Sequence, residues 1–182
     1  MTANAMTFCQ LNDRLDVWSR SYFKPSNRLC FERTRDWPLI KSIVTHEKIW
    51  PAISDDFSGI PEDWQPLQDE SFFYLLVKDA EEVLGCFILH PDNGNKICWK
   101  VHTAFLPSSW GERIRRAGYL GHQWIFANTE CRRIVTDVPI YNRIALRFAV
   151  KSGMKEYGMN PKSFMKNGTL HDVIMLGVSA CQ

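Results

Sequence analysis

Histidine is the side chain whose unperturbed charge changes near neutral pH, and the chain carries five. His102 stands out by position. It lies between Val101 and Thr103 in an alternating run that reaches Phe105-Leu106-Pro107, so a strand there presents it on one face. A neutral imidazole in that place can accept a proton near pH 7. It can equally serve the strand, bonded to Thr103 or to main chain. Arg113, Arg115 and Arg116 form a local basic cluster, and Arg132-Arg133 adds to it. Guanidinium groups match phosphate geometry, and they also populate ordinary solvated helix faces. Asp55, Asp56 and Glu70 are acids on or beside a long loop, where they can line an acceptor site or face water. His171-Asp172 looks like a dyad only in text, because adjacent strand residues point to opposite faces.

Other chemistries find no support. The six cysteines, Cys9, Cys30, Cys86, Cys98, Cys131 and Cys181, include no CxxC pair, which argues against a zinc site. Several sit in apolar runs, where reduced Cys acts as a small hydrophobe. No Walker loop, Ser-His-Asp spacing or metal-type His cluster occurs. A formal charge of +2 in 182 residues argues against nucleic acid as the partner. The 45% hydrophobic and 23% charged residues belong to a globular chain with a sizeable core. Met1–Gln10 lacks the pattern of a secretory leader, and no apolar run is long enough to span a bilayer. The expectation is therefore a soluble cytoplasmic protein. Most of the seven Trp belong to core or groove walls.

The elements that must position these residues follow from periodicity. Residues 1–28 are polar and mixed and read as an arm ahead of one domain, 29–182. Leu29–Thr34 alternates as a half-buried strand. Asp36 before Trp37-Pro38 signals a helix start, and the stripe Leu39, Ile40, Ile43, Val44 continues it. Residues 51–70, rich in Pro, Asp, Gly and Trp, read as a long loop with one short helical turn. Ser71–Lys78 and Glu82–His90 form a hairpin, and Asp92-Asn93-Gly94-Asn95 turns the chain into a third strand, Ile97–Leu106. Ser109–Asn128 has helical apolar spacing. Ile134–Ile140 is a strand. Tyr141–Ser152 is a helix with Ile144, Ala145, Phe148 and Ala149 inward, stopped by Gly153. Strands near Lys162–Met165 and His171–Val178 close the chain. The order β-α-loop-β-β-β-α-β-α-β-β predicts an α/β fold, a mixed central sheet with parallel pairing at its centre and helices on its flanks.

Phe105-Leu106-Pro107, then Val138-Pro139-Ile140-Tyr141-Asn142-Arg143-Ile144-Ala145 with Gly153 and Met154 at the following spacing, then Gly168-Thr169-Leu170-His171-Asp172, resemble the GNAT (GCN5-related N-acetyltransferase) superfamily over residues 29–179. Ile53-Ser54-Asp55-Asp56, Val101-His102-Thr103 and Cys131-Arg132-Arg133-Ile134-Val135 also resemble a GNAT-like group encoded by bacteriophages. The resemblance implies direct acyl transfer from acetyl-CoA to an amine, whose identity it leaves open. It implies an opening between the strands ending at Leu106 and starting at Ile134. Phe105 and Leu106 would give backbone contacts, Gly111 to Ile114 would meet the pyrophosphate, and Asn142 and Phe148 would line the other wall. His102 would be the base.

The family's phosphate loop, Arg/Gln-x-x-Gly-x-Gly/Ala, falls on Trp110-Gly111-Glu112-Arg113-Ile114-Arg115 and matches at none of its defining positions. The family's Tyr acid falls on Ala149. Three readings stand side by side. Arg113, Arg115 or Arg116 can hold phosphates through side chains. The site can be empty, with the fold reused for binding. The arginines can be a solvated face, although cations at a helix N-terminus call for an anion nearby. The non-catalytic alternative is a phage structural protein, virion-associated, with residues 1–28 and 51–70 as partner surfaces.

Overall fold

The computed structural model describes residues 29–180; the arm expected over 1–28 lies outside the described residues. Strands β1 (Leu29–Arg33), β2 (Phe73–Asp79), β3 (Glu82–Asp92) and β4 (Asn95–Phe105) pair antiparallel in sequence order. The β3–β4 turn holds Asn93 at φ 50° and Gly94 at φ 74°, and two successive positive φ values are what a tight hairpin of right-handed twist requires. Between β1 and β2 lie α1 (Trp37–Val44) and the single turn α2 (Trp50–Ile53). Asp36 caps α1, its Oδ1 accepting from the Leu39 N–H at 3.0 Å, as the Asp-x-Pro sequence predicts.

After β4 the chain makes a 3-10 turn at Pro107–Ser109, then α3 (Glu112–Asn128), β5 (Arg133–Pro139), α4 (Arg143–Lys151), β6 (Lys155–Lys166) and β7 (Thr169–Ser179). The sheet has seven strands in the order β1-β2-β3-β4-β5-β7-β6. Its β4–β5 pair is parallel and joins two antiparallel halves. This is the mixed sheet with flanking helices that the element order predicts.

Both faces of the sheet centre are covered, which is why β2 and β3 read as nearly unbroken apolar runs. Alternation sends Tyr74, Leu76, Cys86 and Ala104 to the α1 side, against Ile40, Ile43 and Val44. It sends Leu75, Val77, Phe87, Val101 and Phe105 to the side of α3 and α4, against Ala117, Ile125 and Ala149. Two glycines let α3 approach closely. A Cβ on Gly121 would lie 2.6 Å from the Phe87 ring, and one on Gly118 would lie 2.8 Å from Phe148 Cζ and collide with Ser152 Oγ.

Three boundaries differ from the sequence reading. Helix α3 begins at Glu112, because Gly111 takes φ 120° and breaks the run. Helix α4 begins at Arg143, because Asn142 serves as its cap instead of its second residue. Strand β6 starts seven residues before Lys162. Its pairing with β7 is interrupted between Glu156 and Gly158 and between Asn160 and Phe164, with Lys162 at φ 49°. Such bulges erase the two-residue alternation that betrays a strand.

Candidate active site

The site begins where two strands part. β4 and β5 pair at Cys98–Arg133, Trp99–Ile134 and Lys100–Val135. Beyond that, β4 stays with β3 through Phe105 and β5 stays with β7 through Pro139. Lys100 spans the start of the gap, its Nζ donating to Asp137 Oδ2 at 2.7 Å. Asn142 ties the far side. Its Oδ1 accepts from Ala145 N–H at 3.1 Å, capping α4, and its Nδ2 donates to the Ala52 carbonyl of α2 at 3.1 Å. Two cavities open at this divergence, and Ala52, Ile53, Thr103, Asn142 and Ala145 line both.

Main-chain alternation explains why Thr103 matters there. The Leu106 N–H donates to the Leu84 carbonyl of β3 at 2.8 Å. Successive residues of a strand turn their N–H and C=O groups to opposite sides. Those of Ala104 and His102 therefore also face β3, while those of Val101, Thr103 and Phe105 face the β5 side. With the β4–β5 ladder ended at Lys100, the Thr103 groups point into the gap between the cavities.

The first cavity has a volume of ≈ 300 Å³ and lies over the start of α3 and along α4. Phe105, Ile114, Ala145 and Phe148 make its apolar wall, with Phe105 and Phe148 ring centroids 5.4 Å apart. Its charged lining is wholly cationic: Lys48, Arg115, Arg147 and Lys151. Arg115 pairs with Glu112, whereas Lys48, Arg147 and Lys151 have no ion-pair partner among the described residues. Gly111 caps α3 without a side-chain hydrogen bond, which leaves the first N–H groups of a 17-residue helix beside the same cleft. An elongated ligand with an anionic end and an apolar arm fits this donor set.

The second cavity, ≈ 540 Å³, lies on the α1–α2 side and carries His102 on its lining. His90 and His102 stack at 5.5 Å and 20°, with their Nε2 atoms 3.3 Å apart. His90 Nδ1 lies 3.1 Å from the Pro91 carbonyl, and a carbonyl can only accept. His90 is therefore protonated at Nδ1, and in the neutral ring its Nε2 accepts from His102 Nε2–H. This leaves the lone pair of His102 on Nδ1. Crowding by protein atoms, then the neighbouring His90 and Lys100, push the His102 imidazole down to about 4. It is neutral across the physiological range.

Of the residues singled out in the sequence, the structure brings His102, Phe105, Gly111, Ile114, Asn142 and Phe148 to these two cavities. It places two others elsewhere. Arg113 forms a two-pronged pair with Glu82, 2.7 and 2.8 Å, on the β2–β3 hairpin and does not line the cleft. Leu106 has its main chain engaged within the fold: its N–H by Leu84 and its carbonyl by Ser109 N–H at 2.9 Å and Oγ at 2.6 Å. Phe105 lines the cleft with its ring, but its carbonyl already accepts from Trp110 Nε1 at 2.7 Å. Ile144, expected inward, is 67% exposed at the rim. Asp56 receives the Asn167 and Gly168 N–H groups at 2.8 and 2.7 Å, which pull its carboxyl below the usual range. It is a staple for the β6–β7 turn. Asp55 orders its own turn through Ser58, and Glu70 stands away at a third pocket with Arg33 and Arg35.

Sequence reasoning missed Lys48, Arg147 and Lys151. A signal existed for the last two. Ile144, Arg147 and Lys151 recur at three- and four-residue steps beside Phe148, so they share the edge of one helical face.

No protein-family model and no curated protein matches the sequence. Solved structures do match by shape. A spermidine N-acetyltransferase from Vibrio cholerae in complex with CoA and spermine superposes with a TM-score of 0.68 at 17% identity, covering 84% of this chain and 95% of that one. A ribosomal-protein-S5-alanine acetyltransferase from Vibrio fischeri gives 0.66 at 18% identity, covering 87% and 95%. The fold is the GNAT fold. Within it, the parting of β4 and β5 sits at the centre of the sheet, and the two cavities flank it. Among the described residues no helix is long and apolar enough to cross a membrane, and no cluster of His, Cys, Asp or Glu is arranged to hold a metal.

Proposed function

We propose that the protein is an N-acyltransferase that moves an acetyl group from acetyl-CoA to an amine. The observation that carries this reading is the meeting of two unlike cavities at Thr103. One has a cationic rim and an apolar wall, and the other holds a neutral imidazole. Acetyl-CoA would supply an activated thioester. Lys48, Arg115, Arg147 and Lys151, with the start of α3, would hold its phosphates, and Phe105 and Phe148 its apolar arm. This is phosphate recognition by side chains, in place of a glycine-rich loop.

The Thr103 N–H in the gap can donate to the thioester carbonyl oxygen, where negative charge grows during attack. The amine lone pair forms the N–C bond, the C–S bond breaks with its electrons on sulfur, and the nitrogen sheds one proton. His102 Nδ1 can accept that proton directly or through water. The thiolate takes up a proton and leaves as a thiol. A leaving thiol with a pKa of about 8.5 tolerates the lack of a dedicated acid better than an alkoxide would. This suits a chain with Ala149, buried in α4, at the family's Tyr position.

Titration calorimetry with acetyl-CoA tests the reading. Saturable binding, with acetyl transfer to an amine lost in His102→Gln, supports it. Absence of heat and of any melting shift at millimolar ligand overturns it. A second reading, a GNAT-fold binding module without catalysis, in virion assembly for a phage-encoded chain, is favoured by one observation. The Phe105 carbonyl and the Leu106 N–H, both sought for the cofactor, bond within the protein. Co-purification with virions in the absence of acetyl-CoA binding would select it.

A further inference from the structure

The lining of the second cavity carries information about the amine itself. Six aromatic rings stand among its walls: Trp50, Trp64, Phe72, Tyr74, Phe164 and His102. Trp50 and Trp64 meet edge to face at 6.4 Å. Tyr74 and Phe72 stack at 6.5 Å, Phe72 lies 5.0 Å from His90, and His90 lies 5.5 Å from His102. The Tyr74–Phe72–His90–His102 contacts form one chain of rings that ends at the imidazole beside Thr103, although His90 itself does not line the cavity, and the separate Trp50–Trp64 pair faces the same space. Tyr74 adds little polarity, because its hydroxyl donates to the Leu67 carbonyl at 2.9 Å.

The charges tell the same story from the other side. Among the described residues the carboxylate lining this cavity is Asp137, and it is already neutralised by Lys100 at 2.7 Å. A second ammonium, Lys166 Nζ, donates to the Ser54 carbonyl at 2.7 Å, and Ser54 lines the same cavity. Asp55 and Asp56 are held in turns by main-chain N–H groups. Neither lysine lines the cavity, but among the described residues a polycation entering here would meet only Asp137 as a lining carboxylate, and that one is already paired. A flat apolar body would meet aromatic faces, where burial and ring stacking both favour it.

We infer that the acceptor is a monoamine borne on a planar apolar or aromatic body, lying along the Phe72–Trp64 wall with its nitrogen toward His102 and Thr103, and that polyamines are excluded. The word acceptor rests on the acyl-transfer reading above; the choice of ligand class rests on the cavity walls and charges.

The test separates the two. Binding of tryptamine, phenylethylamine and spermidine is measured by calorimetry on the full chain without acetyl-CoA, and CoA binding is measured on the same protein. The expected result is saturable binding of the two aryl amines, with spermidine at least tenfold weaker. Trp64→Ala and Phe72→Ala should each weaken the aryl amines by about tenfold and leave CoA affinity unchanged, while Trp64→Phe retains most of the binding. Spermidine binding equal to or tighter than the aryl amines overturns the inference, as does aryl-amine binding indifferent to all three substitutions. So does CoA binding without any aryl-amine binding. Aryl-amine binding without CoA binding overturns the transferase reading and leaves the ligand class standing. The Trp64→Phe protein, with a ring still in place, covers the case in which an alanine variant fails to fold.

Discussion

Replacing Arg147 by Ala tests the phosphate-holding reading at its most exposed point. Arg147 lines the cationic cleft one helical turn before Lys151, and neither has an ion-pair partner among the described residues. Nothing has to be broken for Arg147 to meet a phosphate. A hydrogen bond to a charged group contributes about 1.5–3 kcal/mol. Exposure at the rim points to the lower end, and 1.4 kcal/mol is a factor of about ten. The expected outcome is a KM for acetyl-CoA raised about tenfold with kcat nearly unchanged, since phosphate contacts are equal in ground and transition states. Arg147→Ala with Lys151→Ala should cost about 30- to 100-fold, short of full additivity because the two charges share one ligand. Screening over roughly 8 Å at physiological ionic strength should narrow the gap between wild type and variant as salt rises. Arg113→Ala is the control. Its guanidinium is committed to Glu82, so it should leave KM within about twofold and cost at most about 1 kcal/mol of stability. Steady-state kinetics at two salt concentrations decide the matter. An Arg147 variant with unchanged KM, or an Arg113 variant that loses as much, would refute the placement of the phosphates.

Four further outcomes follow from the geometry. His102→Gln should lower kcat by about 10²- to 10⁴-fold without changing acetyl-CoA affinity, and a variant at near wild-type rate would remove His102 as the base. Because the His102 imidazole is held near 4, with His90, Lys100 and Asp137 around it, the rate between pH 5 and 9 should follow the amine's own titration, and a limb near 6.5 absent in His102→Gln would contradict this. Burial also pushes the His122 imidazole down to about 4, although its bond to the Ser152 carbonyl opposes the shift. The unfolded chain, with His near 6.5, therefore binds more protons between those values, so stability should fall as pH drops from 6.5 to 4, by about 3 kcal/mol for this group; the fall in urea melts across that window should shrink by about that amount in His122→Gln, with the His102 share remaining. Gly118→Ala drives a methyl to 2.8 Å from Phe148 Cζ and should cost about 1–3 kcal/mol, with acetyl-CoA KM rising as Phe148 shifts, and an unchanged melting temperature would show that the α3–α4 contact can yield.

The fold was legible because each element carries its own local signal. Asp36 with Pro38 starts α1, Asn93-Gly94 turns β3 into β4, and Gly153, at φ 95°, ends α4. These signals act over a few residues, and the sequence displays them in order. Half of the site is legible in the same way, since His102, Phe105, Gly111, Asn142 and Phe148 sit at element ends or on a regular face. The errors share a different cause. Arg113 faces the β2–β3 hairpin because α3 begins at Glu112, one helical turn later than its composition suggests. The Leu106 and Phe105 carbonyls are taken by Ser109 and Trp110, contacts set by a 3-10 turn that propensity does not announce.

The cations that rim the cleft come from Lys48 on the approach to α2, from Arg115 on α3 and from Arg147 and Lys151 on α4, the first and last about a hundred residues apart in the chain. What brings them together is the parting of β4 and β5 after Lys100, and no residue there is unusual for a strand. The divergence is a property of the sheet: β4 is held by β3 to Phe105, β5 is held by β7 to Pro139, and Asn142 locks α4 to α2 across the space between. None of these contacts involves the residues at the start of α3, so the opening does not depend on glycines there. On the acyl-transfer reading, this frame makes Thr103 the meeting point of thioester and amine, and it leaves the means of holding each to side chains that can change independently.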